Sequence, residues 1–398
     1  MNILIITCVF PPEPVVSAKL SHDIAVNLSK KGEVVTVVSP KPTRPYKFKF
    51  EYNETNNSFK HVILDSFTSP QSNVVGRLIE SYSFGNKCAK YIRENKNNID
   101  KIYLNSWPLF SQYFIVKEAK KHDVPSIVHV MDIYPESFTN KITIGSNLVH
   151  NALLPIDKYI LRNTEKVICI SENMKQYLSQ SRELPLSKLH IVSNWQDEES
   201  FITFRNNNIG ANIKKEPFTF MYLGNNGPVA GVDFLIRSFV SANISNSQLI
   251  VAGGGSRTDA CKELANTLGA TNVKFIPVPD GKVPEVQSKA DIMLLPVKKG
   301  GAMSSIPSKL PAYMFSAKPI IGSLDKKSDT AKAIVDADCG IVIAPENESE
   351  LITAMRKISE WDRNLLGEKG ENGFNYAIKN FSKSRNLEKV INIIKAVQ

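Results

Sequence analysis

The sequence predicts an α/β protein with two domains, each a doubly wound parallel sheet that carries helices on both faces. Short apolar runs of strand length alternate with helical patterns from the first residue onward, as in such sheets. The chain has 398 residues, more than one ordinary core accommodates. A polar, asparagine-rich segment at 204–217 interrupts the alternation once, and the pattern then restarts.

Seven strands and their helices are predicted before this interruption, so residues 1–203 are expected to form the N-terminal domain. In the stretch 17–32, for example, Leu20, Ile24 and Leu28 recur at helical spacing, and Gly32 can end the helix. The predicted strands are residues 2–10, 33–39, 61–67, 101–106, 126–132, 167–171 and 189–194.

Six further strands are predicted in a C-terminal domain, residues 218–398, with 204–217 as the linker. They are residues 218–224, 248–255, 272–278, 291–297, 318–323 and 339–345. No strand follows Trp361, which leaves the final helix free to cross back to the N-terminal domain. We expect the two domains to face each other across a cleft, with ligands at the carboxyl ends of the strands.

Composition and charge exclude several classes of protein. The net charge of +10 is spread over both halves, and no motif of a helicase, an RRM or a zinc finger is present, so we predict no nucleic-acid partner. The five cysteines lack CxxC spacing and lie mostly in apolar runs, which predicts buried thiols in a reducing compartment. The first apolar run ends at Phe10 without a preceding basic region, and no run has the roughly 18 apolar residues of a membrane span. We therefore expect a cytoplasmic protein, attached at most to a membrane surface.

The stretch SSIPSKLPAYMFSAKPIIG, residues 304–322, predicts a short helix followed by a buried strand. The helix opens without an acidic residue, although unpaired N–H groups there carry partial positive charge. An external anion, with phosphate as the natural guest, would then bind where Pro307 opens the helix. A connecting turn capped by its serines is the alternative. The candidate binding residues are Ser304, Ser305, Ser308, Lys309 and Leu310.

Two glycine-rich loops end other predicted strands of this domain. In YLGNNGPVAG, Gly224, Asn225 and Asn226 are candidates to approach an anion through the backbone, and Gly253 is the candidate in VAGGGSRTD. The second loop is not GxGxxG, so a dinucleotide fingerprint is absent. A tight loop and close helix packing are the alternative interpretations.

Three strand ends of the first domain carry candidate binding or catalytic residues. Carboxylates at such positions are frequent catalytic or binding groups, and a large aromatic beside an acid suggests substrate contact. Solvated caps and a core-edge tryptophan are the alternatives. The candidates are Glu13, Val15 and Val16 after the first strand, Asp132 and Glu136 in HVMDIYPES, and Trp195 and Asp197 in SNWQDEESF.

No cluster of acids or histidines has metal-ligand spacing. Asp336 and Asp338 have the acid, any residue, acid spacing of some metal-dependent transferases, but they close a predicted helix and precede a strand. We therefore expect neither a metal nor another cofactor.

Taken together, these segments resemble a known family over nearly the whole chain. PSKLPAYMFSAKPIIGS, HVMDIYPES, VICISENM and VSNWQDEESF are similar to the GT-B glycosyltransferases of family four, and the opening residues 10–39 are as well. The segment PAYMFSAKP, residues 311–319, resembles the N-acetyl-L-fucosamine transferases of bacterial O-antigen and capsule assembly. The resemblance implies retaining transfer of a sugar, without a metal, from a UDP-sugar to a lipid-diphosphate-linked saccharide.

The resemblance also implies roles for the candidate residues. The donor diphosphate would lie against Ser308, Lys309 and the backbone of 305–310, with the loop at 224–226 beside it. The nucleobase would be flanked by the segment of Pro277, Val278 and Pro279. Asp132 and Glu136 would orient the acceptor or accept its proton.

Several residues depart from the family pattern. Ser304 and Ala312 stand where many relatives carry two glutamates, Ala230 stands at a lysine position, and Met131 replaces a histidine. Two alternatives follow from these losses: a nucleotide-sugar-binding scaffold without turnover, or a GT-B UDP-sugar epimerase. The stripe of apolar residues in 146–162 suggests peripheral contact with an anionic membrane at the inner face of the plasma membrane, or core packing.

Overall fold

The structure is a computed structural model that describes residues 1–43, 58–69, 74–105, 108–139, 145–208, 216–228, 230–299, 301 and 306–397. Ser304 and Ser305 and the centre of the predicted linker lie outside these residues. The chain divides into two compact units. Unit 1 comprises Met1–Asn194 with Asn386–Gln398, and unit 2 comprises Trp195–Arg385.

Unit 1 is built on a seven-stranded sheet whose strands are all parallel, in the order β3-β2-β1-β4-β5-β6-β7. The strands are β1 (Asn2–Ile6), β2 (Val34–Pro40), β3 (Lys60–Leu64), β4 (Lys101–Asn105), β5 (Ser126–Val130), β6 (Lys166–Cys169) and β7 (Leu189–Ile191). The helices are α1 (Val16–Lys30), α2 (Val74–Asn95), α3 (Leu109–Lys121), α4 (Glu136–Thr139), α5 (Ser146–Asn163) and α6 (Glu172–Arg182).

Unit 2 contains a six-stranded parallel sheet in the order β10-β9-β8-β11-β12-β13. Its strands are β8 (Phe218–Leu223), β9 (Ser247–Ala252), β10 (Val273–Ile276), β11 (Ile292–Pro296), β12 (Ile320–Ser323) and β13 (Gly340–Ile343). Its helices are α7 (Glu199–Asn207), α8 (Val232–Ala242), α9 (Thr258–Thr267), α10 (Val283–Ser288), α11 (Lys309–Phe315), α12 (Asp329–Asp336), α13 (Glu348–Ser359) and α14 (Arg363–Asn380). The last helix, α15 (Lys383–Ala396), begins in unit 2 and continues into unit 1.

The two units change over between Asn194 and Trp195, ahead of the predicted linker at 204–217. The first residues of that segment complete α7, and Phe201 of this helix packs into the core of unit 2. Asn206 and Asn207 therefore end a helix that already belongs to the second unit.

Burial follows the alternation of side chains along each strand. In β8, Met221 faces one core cluster, while Phe220 and Tyr222 face the cluster on the opposite side of the sheet. In unit 1, Leu20, Ile24 and Leu28 of α1 are buried, as their spacing predicts. The prediction of two doubly wound α/β units is confirmed.

The cysteines and the helices bear on two further predictions. All five cysteines lie in the described ranges, are buried and form no disulfide, which confirms the prediction of buried thiols. No helix of the described ranges combines the length and the apolarity needed to cross a membrane.

In α5, Ile160 is buried, and Leu153 and Ile156 pack against the core, so the apolar stripe of 146–162 serves core packing.

Candidate active site

The candidate site of unit 2 lies where the strand order changes direction. β8 has β9 on one side and β11 on the other, so the chain leaves β8 toward one edge and leaves β11 toward the opposite edge. Ligands of doubly wound sheets bind at the carboxyl ends of the strands at such a point. The loop after β8 and the helix α11, which follows β11, meet there.

Lys309 is the charged residue at this position. Its Nζ lies 5.5 Å from the ring centroid of Tyr222, and a Cβ on Gly224 would come within 2.3 Å of its Cε. The side chain is half-buried, and desolvation lowers the pKa of its ammonium group below the ordinary 10.5. Within the described part of the chain, no acidic side chain pairs with it. A partly desolvated cation without a counterion favours an anionic ligand.

Two tyrosine hydroxyls hold the backbone around this lysine. Tyr313 is fully buried, and its hydroxyl donates to the carbonyl of Leu223 at 2.8 Å and accepts from the Leu223 N–H at 3.0 Å. The Tyr222 hydroxyl donates to the carbonyl of Asn225 at 2.8 Å. The sequence alone identifies neither tyrosine as part of the site. The one available signal is that Tyr313 lies one helical turn after Lys309, on the same face of α11.

The loops after β8 and β9 pack backbone against backbone. The N–H of Gly224 donates to Ala252, that of Asn226 to Gly254, and that of Gly253 to Ile276. A Cβ on Gly253 would lie 2.5 Å from the carbonyl oxygen of Gly224.

This geometry corrects three of the predicted contacts with the diphosphate of the sugar donor. The N–H groups of Gly224, Asn226 and Gly253 already donate hydrogen bonds within the protein. The side chain of Asn226 is also buried. Asn225 is exposed and remains a candidate contact of this loop.

The start of α11 differs from the prediction. Pro307 does not open the helix; Ser308 is the N-cap and Lys309 the first helical residue. The Leu310 N–H donates to the Pro307 carbonyl at 3.0 Å, and the Leu310 side chain is buried in the core. Leu310 is therefore a core residue with a bonded N–H, which removes it from the predicted anion contacts, whereas Ser308 is exposed.

The predicted nucleobase segment follows β10, the edge strand of the second sheet. Pro277 and Pro279 are exposed, and Val278 packs against the core. The carbonyl of Pro279 accepts from the Lys282 N–H at 3.1 Å, so the segment leads directly into α10. The segment thus presents two prolines at the carboxyl edge of the same sheet.

In unit 1, the corresponding change of direction lies between β1 and β4. Asn105, at the end of β4, donates through Nδ2 to Thr7 Oγ1 at 3.1 Å and also to Ser21 Oγ, which ties the two strand ends to α1. The Glu13 carboxylate is buried and accepts from the N–H groups of Phe10 and Thr43. Glu13 is predicted from the sequence to contact a substrate. Its carboxylate instead bonds two backbone N–H groups and holds the loop after β1.

The remaining predicted residues of that loop begin the first helix. Val15 is the N-cap of α1 and is half-buried, and Val16 is the first helical residue. Both lie at the carboxyl edge of β1, where the prediction located them.

Glu136 belongs to a buried ion cluster. Its carboxylate accepts two bonds of 2.7 Å from the guanidinium of Arg182, which is fully buried, and one of 2.6 Å from the Tyr177 hydroxyl. Arg182 also donates to Asp157 Oδ2 at 2.7 Å. Burial alone would raise the pKa of Glu136, but the bonds from Arg182 and Tyr177 lower it to about 2.

A carboxylate with that pKa is a poor proton acceptor near neutral pH, which argues against the predicted proton-accepting role of Glu136. Asp132 lies close by in sequence, at the carboxyl end of β5, and is exposed. The sequence reveals neither Arg182 nor its partners, because a lone arginine at the end of a helix usually reads as a solvated residue.

Trp195 and Asp197 lie at the start of unit 2. Trp195 is only 6% exposed, so its indole offers no face for a substrate, which corrects the predicted contact. Asp197 is half-buried; its Oδ2 lies 3.5 Å from the Nζ of Lys383, and its Oδ1 accepts from the Glu199 N–H. These interactions join the start of the unit to the start of α15.

Two of the positions that depart from the family pattern are buried, whereas Met131 is half-buried. Ala312 and Ala230 are 9% and 6% exposed. A search of the described residues finds no group of three His, Cys, Asp or Glu side chains that could hold a metal ion.

Comparison with known proteins gives the chain its class. A model described as Glycosyltransferase Family 4 matches residues 18–200, and one described as Glycosyl transferases group 1 matches residues 217–360. A probable glycosyltransferase of Pseudomonas aeruginosa, WbjE, is 21% identical over 250 residues, which span 61% of this chain and 61% of that protein.

Solved structures with a similar fold cover 99–100% of the chain. Anabaena Alr3699/HepE in complex with UDP matches with a TM-score of 0.71 at 15% identity, covering 100% of both chains. WaaG, a glycosyltransferase involved in lipopolysaccharide biosynthesis, matches with a TM-score of 0.67 at 17% identity, covering 99% of this chain and 100% of WaaG.

The two parallel sheets and these neighbours define the fold as GT-B. The family matches fall on the two units in order along the chain. The protein therefore carries the two domains of a glycosyltransferase, Family 4 in the N-terminal half and group 1 in the C-terminal half.

Proposed function

We propose that the protein is a retaining glycosyltransferase that moves a sugar from a UDP-sugar to a lipid-diphosphate-linked saccharide in bacterial surface polysaccharide assembly. The observation that carries the donor half of this proposal is the half-buried ammonium of Lys309 at the switch point between β8 and β11, which pairs with no acidic side chain among the described residues. The UDP complex of HepE, which shares the fold, supports a nucleotide sugar as the donor.

The proposed chemistry uses the charge of Lys309 at the leaving group. When the bond between the anomeric carbon and the diphosphate breaks, negative charge collects on the diphosphate. A fixed cation beside it stabilises this charge without reorganising, which lowers the barrier. Ser308 and Asn225 are exposed near this cation and would supply hydrogen bonds. We propose that no metal is needed, and we expect EDTA to leave turnover unchanged.

The acceptor would be handled by unit 1. As the sugar leaves, its anomeric carbon gains oxocarbenium character, and an acceptor hydroxyl attacks from the face of the leaving group, which retains configuration. Asp132 is an exposed carboxylate at that unit's carboxyl edge and would orient this hydroxyl, while the Glu136–Arg182 ion pair holds the adjoining turn. The proton then leaves with the departing diphosphate.

The sugar and the location are the finer parts of the proposal. The PAYMFSAKP wording supports N-acetyl-L-fucosamine as the sugar. The similarity to WbjE and the described role of WaaG in lipopolysaccharide biosynthesis support a surface polysaccharide as the product. We propose cytoplasmic action at the inner face of the plasma membrane, where a lipid-linked acceptor is accessible.

Lys309→Ala tests the proposed role of the lysine. We expect roughly a 100-fold or larger loss of transfer of labelled sugar into a lipid extract, because a fixed charge at the leaving group is removed. Lys332→Ala is the control, since Lys332 is an exposed lysine of the same unit. Equal turnover of the two variants would exclude this role.

The alternatives predict different products with the same UDP-sugars. Interconversion of free UDP-sugars would indicate an epimerase, and calorimetric binding without transfer or interconversion would indicate a scaffold. A calorimetric comparison of UDP with GDP identifies the nucleobase and excludes whole classes of donor.

A further inference from the structure

Helix α2 carries two apolar stripes on different sides. Phe84, Cys88 and Ile92 are at most 1% exposed and pack into the core of unit 1. Val75, Ile79 and Tyr82 are 67%, 49% and 56% exposed, and their spacing of four and three residues sets them on one side of the helix. The second stripe is an apolar surface turned to solvent.

The neighbouring helices extend this surface. A groove of about 490 Å³ lies beside the stripe, and its rings contact one another: Tyr82 and Phe114 have centroids 5.1 Å apart, as do Tyr113 and Tyr159. Phe110 and Pro155 complete the lining. An exposed surface of this kind marks an interaction site.

The surface reaches the carboxyl edge of the first sheet. Helices α2, α3 and α5 follow parallel strands β3, β4 and β5, so each begins at that edge. Val75, Phe110 and Leu148 lie in the first turns of these helices, and Leu148 is 79% exposed. Asp132, the proposed acceptor residue, follows β5 at the same edge.

The charges around the surface are mainly positive. The three helices contain nine lysines and arginines and four acids, of which Glu80, Glu118 and Asp157 are buried. The fourth, Glu94, pairs with Lys90. On the side of α2 that carries the exposed stripe, Lys90 pairs with Glu94 and Arg93 with Glu118. The neighbouring helix α3 adds Lys117, whose Nζ lies 5.7 Å from the ring centroid of Tyr113.

We propose that the outer face of α2, α3 and α5 docks onto the interfacial zone of an anionic lipid bilayer. Tyrosine rings suit that zone, aliphatic side chains enter its apolar boundary, and lysines are attracted to anionic headgroups. A second copy of the chain would bring like charges together on this face. The inference deepens the proposed function, because the bilayer would hold the lipid-linked acceptor beside the acceptor edge.

Flotation of the full chain with lipid vesicles tests the proposal without any turnover. We expect the protein to float with vesicles of phosphatidylcholine and phosphatidylglycerol, less with phosphatidylcholine alone, and less in high salt. Val75→Glu and Ile79→Glu should each lower the partition coefficient roughly tenfold, since a charge replaces an apolar contact. Val335→Glu, at a valine 63% exposed in unit 2, is the matched control and should float like the wild type.

Three outcomes would overturn the proposal: no flotation of the wild type, flotation of Val75→Glu equal to that of Val335→Glu, or equal binding to neutral vesicles. Dimers of the wild type that Val75→Glu dissociates, seen by sedimentation, would identify a second copy as the occupant instead. All variants should unfold at the wild-type temperature, because the substituted side chains are exposed. Transfer to a soluble acceptor without vesicle binding would leave the glycosyltransferase intact and the docking proposal refuted.

Discussion

The hydroxyl of Tyr313 takes the place of a strand partner for Leu223. Pairing between β8 and β11 covers Phe220 and Met221, and the N–H and carbonyl of Leu223 lie beyond it. Tyr313 accepts from that N–H and donates to that carbonyl. Because Tyr313 and Lys309 lie on the same face of α11, this contact fixes the lysine relative to Gly224.

Tyr313→Phe should therefore weaken the binding of UDP. The ring still fills the core, but two buried backbone groups lose their partner, which costs about 1–3 kcal/mol of unfolding free energy. We expect calorimetry to show weaker binding of UDP and unchanged binding of uridine, because the change reaches the ligand only through Lys309.

Tyr103→Phe is the control for this variant. Tyr103 is also fully buried, and its hydroxyl bonds to His129 Nδ1 at 2.7 Å in unit 1. Its loss should lower stability and leave UDP affinity alone. If both variants lose stability and both retain UDP affinity, Tyr313 has no positioning role.

Gly224→Ala should reduce turnover and also lower stability, because Gly224 has a φ of +156°, at which an L side chain is strained. The added Cβ would lie 2.3 Å from Cε of Lys309, and the flexible end of that side chain can move aside. The displaced ammonium group of Lys309 would then no longer contact the diphosphate of the donor. Gly227→Ala is the control in the same loop, since a Cβ added there would lie 3.9 Å from Asn225 Nδ2, an ordinary contact distance.

A double variant sharpens this prediction. In a Lys309→Ala background, Gly224→Ala should have no further effect on turnover, because the two changes remove the same interaction. Additive losses, measured as turnover of each single and double variant, would show that Gly224 acts independently of the lysine.

The affinity for UDP should fall as the pH rises through the pKa of Lys309. Burial lowers this pKa below 10.5, so the ammonium loses its proton at a lower pH than an exposed lysine does. Lys309→Arg stays charged throughout this range, and its affinity should be less sensitive to pH. The ligand titrates equally in both measurements, so parallel pH profiles would contradict the assignment.

Arg182→Met should destabilise unit 1 by about 3–5 kcal/mol, because it leaves the buried Asp157 and the half-buried Glu136 without their shared partner. Chemical denaturation measures this loss. Lys158→Met is the control, since its ion pair with Glu183 is solvent-exposed and should contribute little.

Glu136→Gln should alter how stability depends on pH. The folded-state pKa of Glu136 is about 2, below the ordinary 4.5, so its contribution is present above pH 4.5 and is lost as the pH falls toward 2. The glutamine variant should be less stable at neutral pH and should lose less stability across that window. An unchanged slope would show that the ion pair does not contribute.

Much of the fold follows from local patterns. The apolar runs identify the strands of both sheets, and the spacing of Leu20, Ile24 and Leu28 identifies a buried helix face, because period and burial are properties of neighbouring residues. Lys309 is also found in this way, since a lysine without nearby acids at the start of a helix after a strand is a local feature.

The contacts of that lysine and of the ion cluster are not local. Whether Gly224 packs against Lys309, whether Arg182 reaches Glu136, and whether the N–H of Gly224 is already bonded depend on segments far apart in the chain. The outward stripe of α2 likewise reads as an ordinary apolar stripe until the structure shows which side faces the core. Sequence alone determined the two-domain architecture and the charge of the site, whereas tertiary packing decided which polar groups are already bonded and which remain available to a ligand.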